Sequence, residues 1–506
     1  MSVHMRTVFR LLPALLAPCL AAAANQYAID VQADRDLNVR GTARLTWRND
    51  TPGPASEIPL RCSGRMGRVT AGGKVLHVQE GRVRLPEPVA SGAATTLDIE
   101  FEDHARGVFG YRLLSGPWHP KALTFRDGRF NPDQQQSDEY EVTVLAPASL
   151  VVAAAGESLD APPAPAGQRR LHWRMPHAAS FGLAASPNFE ETRRSSEGVE
   201  IRFYQLRGGA QLDPVMVDYA VDVVAFYKQL FGFYPHPAVV MLPGSLGWGG
   251  GSSPASGFTQ FFKNDGEYVR WIVAHEIAHQ YWGFDTVIDD GDYFHWPGLP
   301  LGIYTDQLYM AQRAKLRFGT GQYRAAVSKG LDTTIRRTAR QMEANRFDWG
   351  GIVCHEKAYA VVRMLADMMG PDRFVQFLRS LQDRYRYQFL SFDDFQAAAE
   401  AAAGRKLDWF FHDWVDTNGV AGYAIESVEA HDGRIPVRIR QTGTARFPVE
   451  VSLTTEDGVR SVQRIAPEPD TGTLDFAAAG QPRRVEIDPR GVCPLRKTGK
   501  EIWTML

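Results

Sequence analysis

From about residue 25 to 195 the chain alternates apolar and polar positions in short runs broken by Gly, Pro and Asn-Asp, as in NVRGTARLTWRND and DEYEVTVLAPASLVVAAAG. A period of two sends successive side chains to opposite faces of a strand, so residues 25–196 are expected to form an antiparallel β domain. Between about 197 and 420 the apolar positions recur every three or four residues, in DYAVDVVAFYKQLFGFY, EYVRWIVAHEIAHQYWG, KAYAVVRMLADMMG and SFDDFQAAAEAAAG. That spacing predicts a mainly helical domain over 197–420. After the breaker Asn418-Gly419 the alternation returns in RIPVRIRQ and FPVEVSLTT, which predicts a small β-sandwich over 421–506. The fold class is therefore multidomain α+β, with no internal repeat or low-complexity tract.

Residues 1–24 stand apart from this pattern. Arg6 and Arg10 precede the apolar stretch LLPALLAPCLAAAA, which ends in small residues near Ala24. This reads as a signal peptide, and the expected product is exported, periplasmic or secreted. Pro13 and Pro18 interrupt a run shorter than the ~20 residues a bilayer span needs, so no transmembrane segment is expected after leader cleavage. Cys19 follows Pro18, not the small residue a lipid-attachment signal expects.

The 506 residues, 44% of them hydrophobic, supply ample core material for about three domains at ~150 residues each. Lys and Arg number 56 against 58 Asp and Glu, a near-balance that gives no hint of a polyanionic partner, and no nucleic acid is expected. Beyond the leader three cysteines remain, Cys62, Cys354 and Cys493, too few for a disulfide framework or a Cys-ligated metal. A Cys62–Cys493 bridge is conceivable in an oxidising compartment.

The chemistry concentrates in HEIAH, with Glu276 between His275 and His279. Histidines at i and i+4 project from one face of a helix, so both imidazoles can reach one zinc ion, and the intervening Glu can polarise a bound water. The bland alternative is a surface helix with two solvated histidines. Trp271, Ile272, Ile277, Ala278, Tyr281 and Trp282 argue against it, because a helix apolar around much of its circumference is buried.

With these motifs in hand, the chain resembles the gluzincin metallopeptidases of the alanyl aminopeptidase type, over nearly its whole length beyond the leader. VRGTARLTWRN with PLRC resembles that family's opening strands. GPWHP and FGLAAS resemble its later β landmarks, FYKQLFGFYP the helix entering its catalytic domain, HEIAHQYWG its zinc helix, and LDWFFHDWVDTNGVAGY its closing helix. The resemblance implies a thermolysin-like catalytic domain, a Glu as third zinc ligand, a transition-state Tyr, and a Glu in a Gly-x-Met-Glu-Asn loop that binds the substrate's N-terminus.

All three of these supporting groups are replaced. Aligning Trp296 of HWPGLPLGIY with the family's Trp-Leu-x-Glu puts Leu299 at the ligand position, or Gly298 if the spacing is read strictly, and no Glu occurs from Ile277 to Met342. The nearby Asp289, Asp290, Asp292, His295 and Asp306 each read more readily as solvated loop residues or caps than as ligands. The family's Tyr-x-Lys-Gly matches CHEKAY, which puts His355 in place of the Tyr and Ala358 in place of the Gly. His355 is thus a candidate for oxyanion contact, a substitute ligand beside His275 and His279, or a polar residue in a turn. The counterpart of the amine-anchoring loop, from Gly247 to Phe258, holds no acidic residue.

Two functions fit this pattern. One is an exported zinc metallopeptidase with an altered metal site, in which His275 and His279 hold zinc, Glu276 is the general base and His355 assists, acting on a peptide or protein substrate. The other is a pseudopeptidase whose scaffold serves binding or assembly. A redox or other transition-metal site is a third, weaker fit, since imidazole suits several metals. The sequence leaves the oligomeric state open.

Overall fold

The computed structural model describes residues 25–505 apart from 210–211, 245–250, 253, 262–266, 284–285, 290, 292–294, 315, 339, 342–349, 468–471 and 478–479. The expected leader, 1–24, lies outside the described residues.

The alternating N-terminal pattern builds an eight-stranded sheet and two four-stranded sheets. Gln26–Ala33 buries every second residue, Tyr27, Ile29, Val31 and Ala33, as a strand with one face on a core must. The expected antiparallel order needs one correction. Gln26–Ala33 runs antiparallel to Val39–Arg48 but parallel to Asp138–Pro147, with Ile29 opposite Val142. A parallel pair requires a long connection, and here it holds all of one four-stranded sheet (Lys121–Ala122, Ala55–Arg61, Arg82–Val89, Val78–Gln79) and two strands of the other, Arg106–Val108 and Tyr111–Leu114.

A five-stranded sheet follows, in the order Phe189–Ser196, Val199–Leu206, Ala238–Pro243, Phe258–Phe261, Gly251–Ser252. The expected boundary at 196/197 falls on the two-residue turn of its first hairpin, Glu197-Gly198, where both residues have positive φ. The faces of this sheet belong to different cores. Ile201, Phe203, Val239 and Met241 pack with the helices. Tyr204, Leu206, Val240, Leu242 and Phe258 pack with the N-terminal sheets.

The helices include α1 (Val215–Phe231), α2 (Glu267–Ala278), α3 (Gly298–Arg313) and α4 (Gly321–Ser328), then a π-helical segment Gly350–Lys357 continuing into Ala358–Met369, followed by Pro371–Tyr385, Phe392–Ala403 and the short Asp408–Phe411 with the π-helical turn His412–Asp416. α1 stops where KQLFGFY places Gly232, which takes the left-handed conformation at φ 83° and donates its N–H to Lys228 O. Residues beyond 421 form a three-stranded and a four-stranded sheet, both antiparallel. Cys62, Cys354 and Cys493 are all free thiols, so the conceivable Cys62–Cys493 bridge is absent. No helix among the described residues is long and apolar enough to cross a membrane.

Candidate metal centre

α2 is apolar around most of its circumference, and Val269, Ile272, Val273, Ala274, Ile277 and Ala278 are all buried. Its last turn carries His275 and Glu276, both buried, and His279 follows directly. Spacing of one turn brings the two imidazoles together: Nε2 of His275 and Nε2 of His279 lie 3.2 Å apart. Two nitrogens bound to one tetrahedral cation at 2.0–2.1 Å would be about 3.3 Å apart, so the pair fits two ligands of a zinc site.

The far side of the His275 ring is also held. Nδ1 of His275 lies 2.9 Å from Asp306 Oδ2. Trp271 Nε1 donates to Asp306 Oδ1 at 3.1 Å, and Gln307 Nε2 to the same oxygen at 2.8 Å. Burial pushes the Asp306 carboxyl up, with the Gln307 and Trp271 donors acting against it. The arrangement that satisfies every group is a carboxylate accepting three N–H bonds, with His275 protonated at Nδ1 and its Nε2 lone pair turned to His279. Burial and the nearby His355 pull the His275 imidazole down to about 3, and burial pulls His279 well below its ordinary value. Both are therefore neutral at neutral pH, as ligands must be.

Asp306 is the residue the sequence reading undervalued. It is fully buried on α3, not a solvated loop residue or a cap. The signal was available: Leu299, Gly302, Ile303, Asp306 and Met310 form one stripe at helical spacing, and a lone acid in an apolar stripe needs a buried partner. α3 also approaches His279 closely. A Cβ on Gly302 would sit 3.0 Å from His279 Cε1 and 3.1 Å from Nδ1.

At the expected third-ligand position, Leu299 packs with Ile303, Cys354 and Tyr359 in a small apolar cluster. Gly298 is excluded by backbone proximity, since a Cβ there would come within 2.3 Å of Gly283 Cα. Asp289 is buried and accepts the Gly298 N–H at 2.9 Å, so it caps α3 from inside the protein. Asp290 and Asp292 lie outside the described residues. His295 is partly buried, not solvated, with φ 58° just before α3, and burial pulls its imidazole down to about 4, His355 adding to the effect.

His355 sits in the π-helical segment, whose wider turn is a common feature of functional sites. Its ring stacks beside His275, with centroids 6.2 Å apart and planes at 27°. Its Nδ1 lies 2.5 Å from Gly350 O, and a carbonyl only accepts, so the proton is on Nδ1 and the lone pair on Nε2. Neighbouring side chains pin the segment: Glu356 accepts the Tyr323 N–H of α4 at 2.9 Å, and buried Lys357 donates to Thr333 O at 2.8 Å. The polar-turn alternative for Cys354-His355-Glu356 is thereby corrected, since Cys354 and Glu356 are buried. Among the described residues, no group of three or more His, Cys, Asp or Glu is gathered closely enough to hold a metal ion by itself.

The acid-free stretch from Gly247 to Phe258 lies partly outside the described residues. Its last part is fixed just beyond α2: Gly257, with φ 74°, donates its N–H to Oε1 of Gln280, the residue after His279, at 2.8 Å.

No protein-family model matches the chain. Curated relatives do, two of which follow. "Aminopeptidase M1-A" of Oryza sativa subsp. japonica is 22% identical over 289 residues, 51% of this chain and 32% of that protein. "Aminopeptidase M1" of Arabidopsis thaliana is 21% identical over 264 residues, 48% of this chain and 29% of that protein. The chain thus spans about a third of the length of these relatives. In structure, Legionella pneumophila aminopeptidase A, solved in complex with aspartic acid, superposes with a TM-score of 0.69 at 14% identity, over 94% of this chain and 59% of that one. The chain has an aminopeptidase fold.

Proposed function

We propose that this chain is a zinc metallopeptidase with an altered metal site, exported and acting on peptide or protein substrates. The observation that carries the reading is the convergence of two neutral imidazoles, Nε2 to Nε2 at 3.2 Å, with Asp306 holding one of them from behind. His275 and His279 would hold the ion. When bound, zinc supplies a Lewis acid that polarises a carbonyl and makes water a nucleophile at neutral pH. Glu276 takes the proton from that water as general base and returns it to the leaving amine. His355, with its lone pair on Nε2 beside His275, offers either a further donor to the ion or, once protonated, a hydrogen bond to the developing oxyanion.

The pseudopeptidase reading is kept for one specific reason: Leu299, Ile303, Cys354 and Tyr359 fill with apolar atoms the place where a third ligand is expected. Metal analysis of the purified protein separates the two. Under the enzyme reading one zinc per chain is found, a His275→Ala, His279→Ala variant loses it, and Glu276→Gln keeps it while hydrolysis falls by about 10²-fold or more. Metal content unchanged by the double substitution would sink the reading. Equal hydrolysis by Glu276→Gln would remove Glu276 from it.

A further inference from the structure

Asn25, the first residue after the expected leader, is 3% exposed and held on three sides. Its carbonyl accepts the Glu139 N–H at 2.9 Å, and its side-chain oxygen accepts the Arg48 N–H at 3.1 Å. Its main-chain nitrogen donates to Asp138 Oδ1 at 3.0 Å. From there the chain enters Gln26–Ala33, the strand paired on one side with Asp138–Pro147 and on the other with Val39–Arg48. We propose that cutting the chain between Ala24 and Asn25 turns this nitrogen into an α-ammonium that forms a buried ion pair with Asp138, so that the N-terminal sheets reach their final stability only once the leader is removed. The inference goes beyond the peptidase reading and rests on the leader alone.

The Asp138 carboxyl is built to receive a cation. It is fully buried, and its two oxygens are unequally served. Oδ1 accepts from the Asn25 N–H and from Gln136 Nε2, each at 3.0 Å, whereas Oδ2 accepts no hydrogen bond among the described residues. Lys121 does not supply one: its ammonium donates to Ala179 O and stands 4.0 Å from Oδ2. A bare carboxylate oxygen in the interior is costly, and burial pushes Asp138 up to about 7 against the pull of Lys121 and of the Asn25 and Gln136 donors. The other titratable side chains packed here carry no charge to offset it. The Tyr27 phenol is raised by burial and by Asp138, and the His119 imidazole beside it is pulled down by burial to about 3.

Hydrolysis by an endopeptidase that cuts after small residues breaks the C–N bond between Ala24 and Asn25. Water places its oxygen on the Ala24 carbonyl carbon and its two protons on the Asn25 nitrogen, which gains one positive charge and two donors. The bond to Oδ1 becomes charge-assisted, and a second N–H is available to Oδ2. In the uncut chain, the parent, the raised carboxyl makes the folded state bind more protons between roughly pH 4 and 7, so stability falls as pH rises through that window. An ammonium beside the carboxyl lowers it again, and that fall is lost.

Two arms test this. In the first, the whole chain is made in an exporting host and its N-terminus is sequenced, with Asn25 expected. A start at another residue overturns the proposal and keeps the leader; a chain neither cut nor exported overturns both. In the second, removal of an N-terminal fusion yields a chain starting at Asn25 with a free amine. It is compared with the same chain N-acetylated and with one that keeps Ala24, each with and without Asp138→Asn. At pH 7 the free amine at Asn25 should favour the folded state by about 100-fold or more over the other two, an advantage absent in Asp138→Asn. The fall in stability from pH 4 to 7 should appear in the N-acetylated chain and not with the free amine. Where Asp138→Asn does not fold, acylation decides: the paired ammonium should react about tenfold or more slowly than the amine of the chain that keeps Ala24. Stabilities within about threefold, an advantage that survives Asp138→Asn, or equal acylation rates would overturn the pair.

Discussion

Replacing Asp306 by Asn tests whether the metal pair is organised from behind. Asn keeps the size of Asp, and its amide oxygen can still accept from Trp271 Nε1 and Gln307 Nε2, which lie 3.1 and 2.8 Å from Oδ1. Its NH₂ then faces Nδ1 of His275, where Oδ2 stood at 2.9 Å. Two N–H groups cannot share that contact, so the imidazole proton moves to Nε2, the nitrogen facing His279, and its lone pair is lost to the metal. Loss of such an outer partner costs 10- to 100-fold in metal affinity, about 1.4–2.8 kcal/mol. The metal-free fold should change little, because a neutral amide replaces a buried carboxyl whose ionisation burial already opposes. Asp306→Ala differs: it strands three N–H donors in the interior, at about 1–3 kcal/mol each, and lowers stability as well. Competition with a chromogenic chelator gives the affinities, and calorimetry of chelator-treated protein gives the stabilities. The reasoning fails if Asp306→Asn stays within threefold of the parent in zinc affinity, or if its affinity and stability fall in parallel as in Asp306→Ala.

Leu299→Glu should raise zinc affinity while lowering metal-free stability by about 2–4 kcal/mol, since the carboxyl enters the apolar cluster of Ile303, Cys354 and Tyr359; thermal melts with and without zinc would show opposite shifts. Gly302→Ala sets helix propensity, about 1 kcal/mol in its favour, against a Cβ 3.0 Å from the His279 ring. The expected outcome is a metal-free melting temperature that holds or rises with a weaker metal site, and tighter metal binding would contradict the packing. Asp138 carries a folded-state pKa of about 7, above its ordinary value, so the folded state binds more protons between roughly pH 4 and 7 and stability falls as pH rises through that window, by at most about 4 kcal/mol. Melting curves across this range should show that slope in the parent and not in Asp138→Asn.

Elements whose pattern faces one core were legible in the sequence. The alternation in QYAIDVQA and the helical spacing in DYAVDVVAFYKQLF appear in the structure as a strand and as α1. Ala238–Pro243 was not legible, because all six residues are buried between two cores and an unbroken apolar run has no period. The histidine pair followed from local spacing alone. Asp306 did not, because its role depends on α3 crossing α2, a tertiary contact between residues 31 apart. His355 was located only through resemblance; neither its own neighbours in sequence nor any periodicity marks the π-helical turn that sets it beside His275.

The sheet whose faces serve two cores also bears on how the chain is made. During synthesis the N-terminal strands leave the ribosome first, yet part of their hydrophobic packing is supplied by Tyr204, Leu206, Val240, Leu242 and Phe258. Until Phe258 has emerged, the first core has no complete wall, and until Pro243 has emerged the strand Val199–Leu206 lacks its neighbour Ala238–Pro243. A chain cut at residue 196 would be held permanently in that condition, with Phe189–Ser196 as an unpaired ribbon and apolar side chains open to other nascent chains. Folding of the β region is therefore coupled to the arrival of the segment that leads into the histidine pair, so neither half can be produced as an independent unit by dividing the chain at its change of pattern.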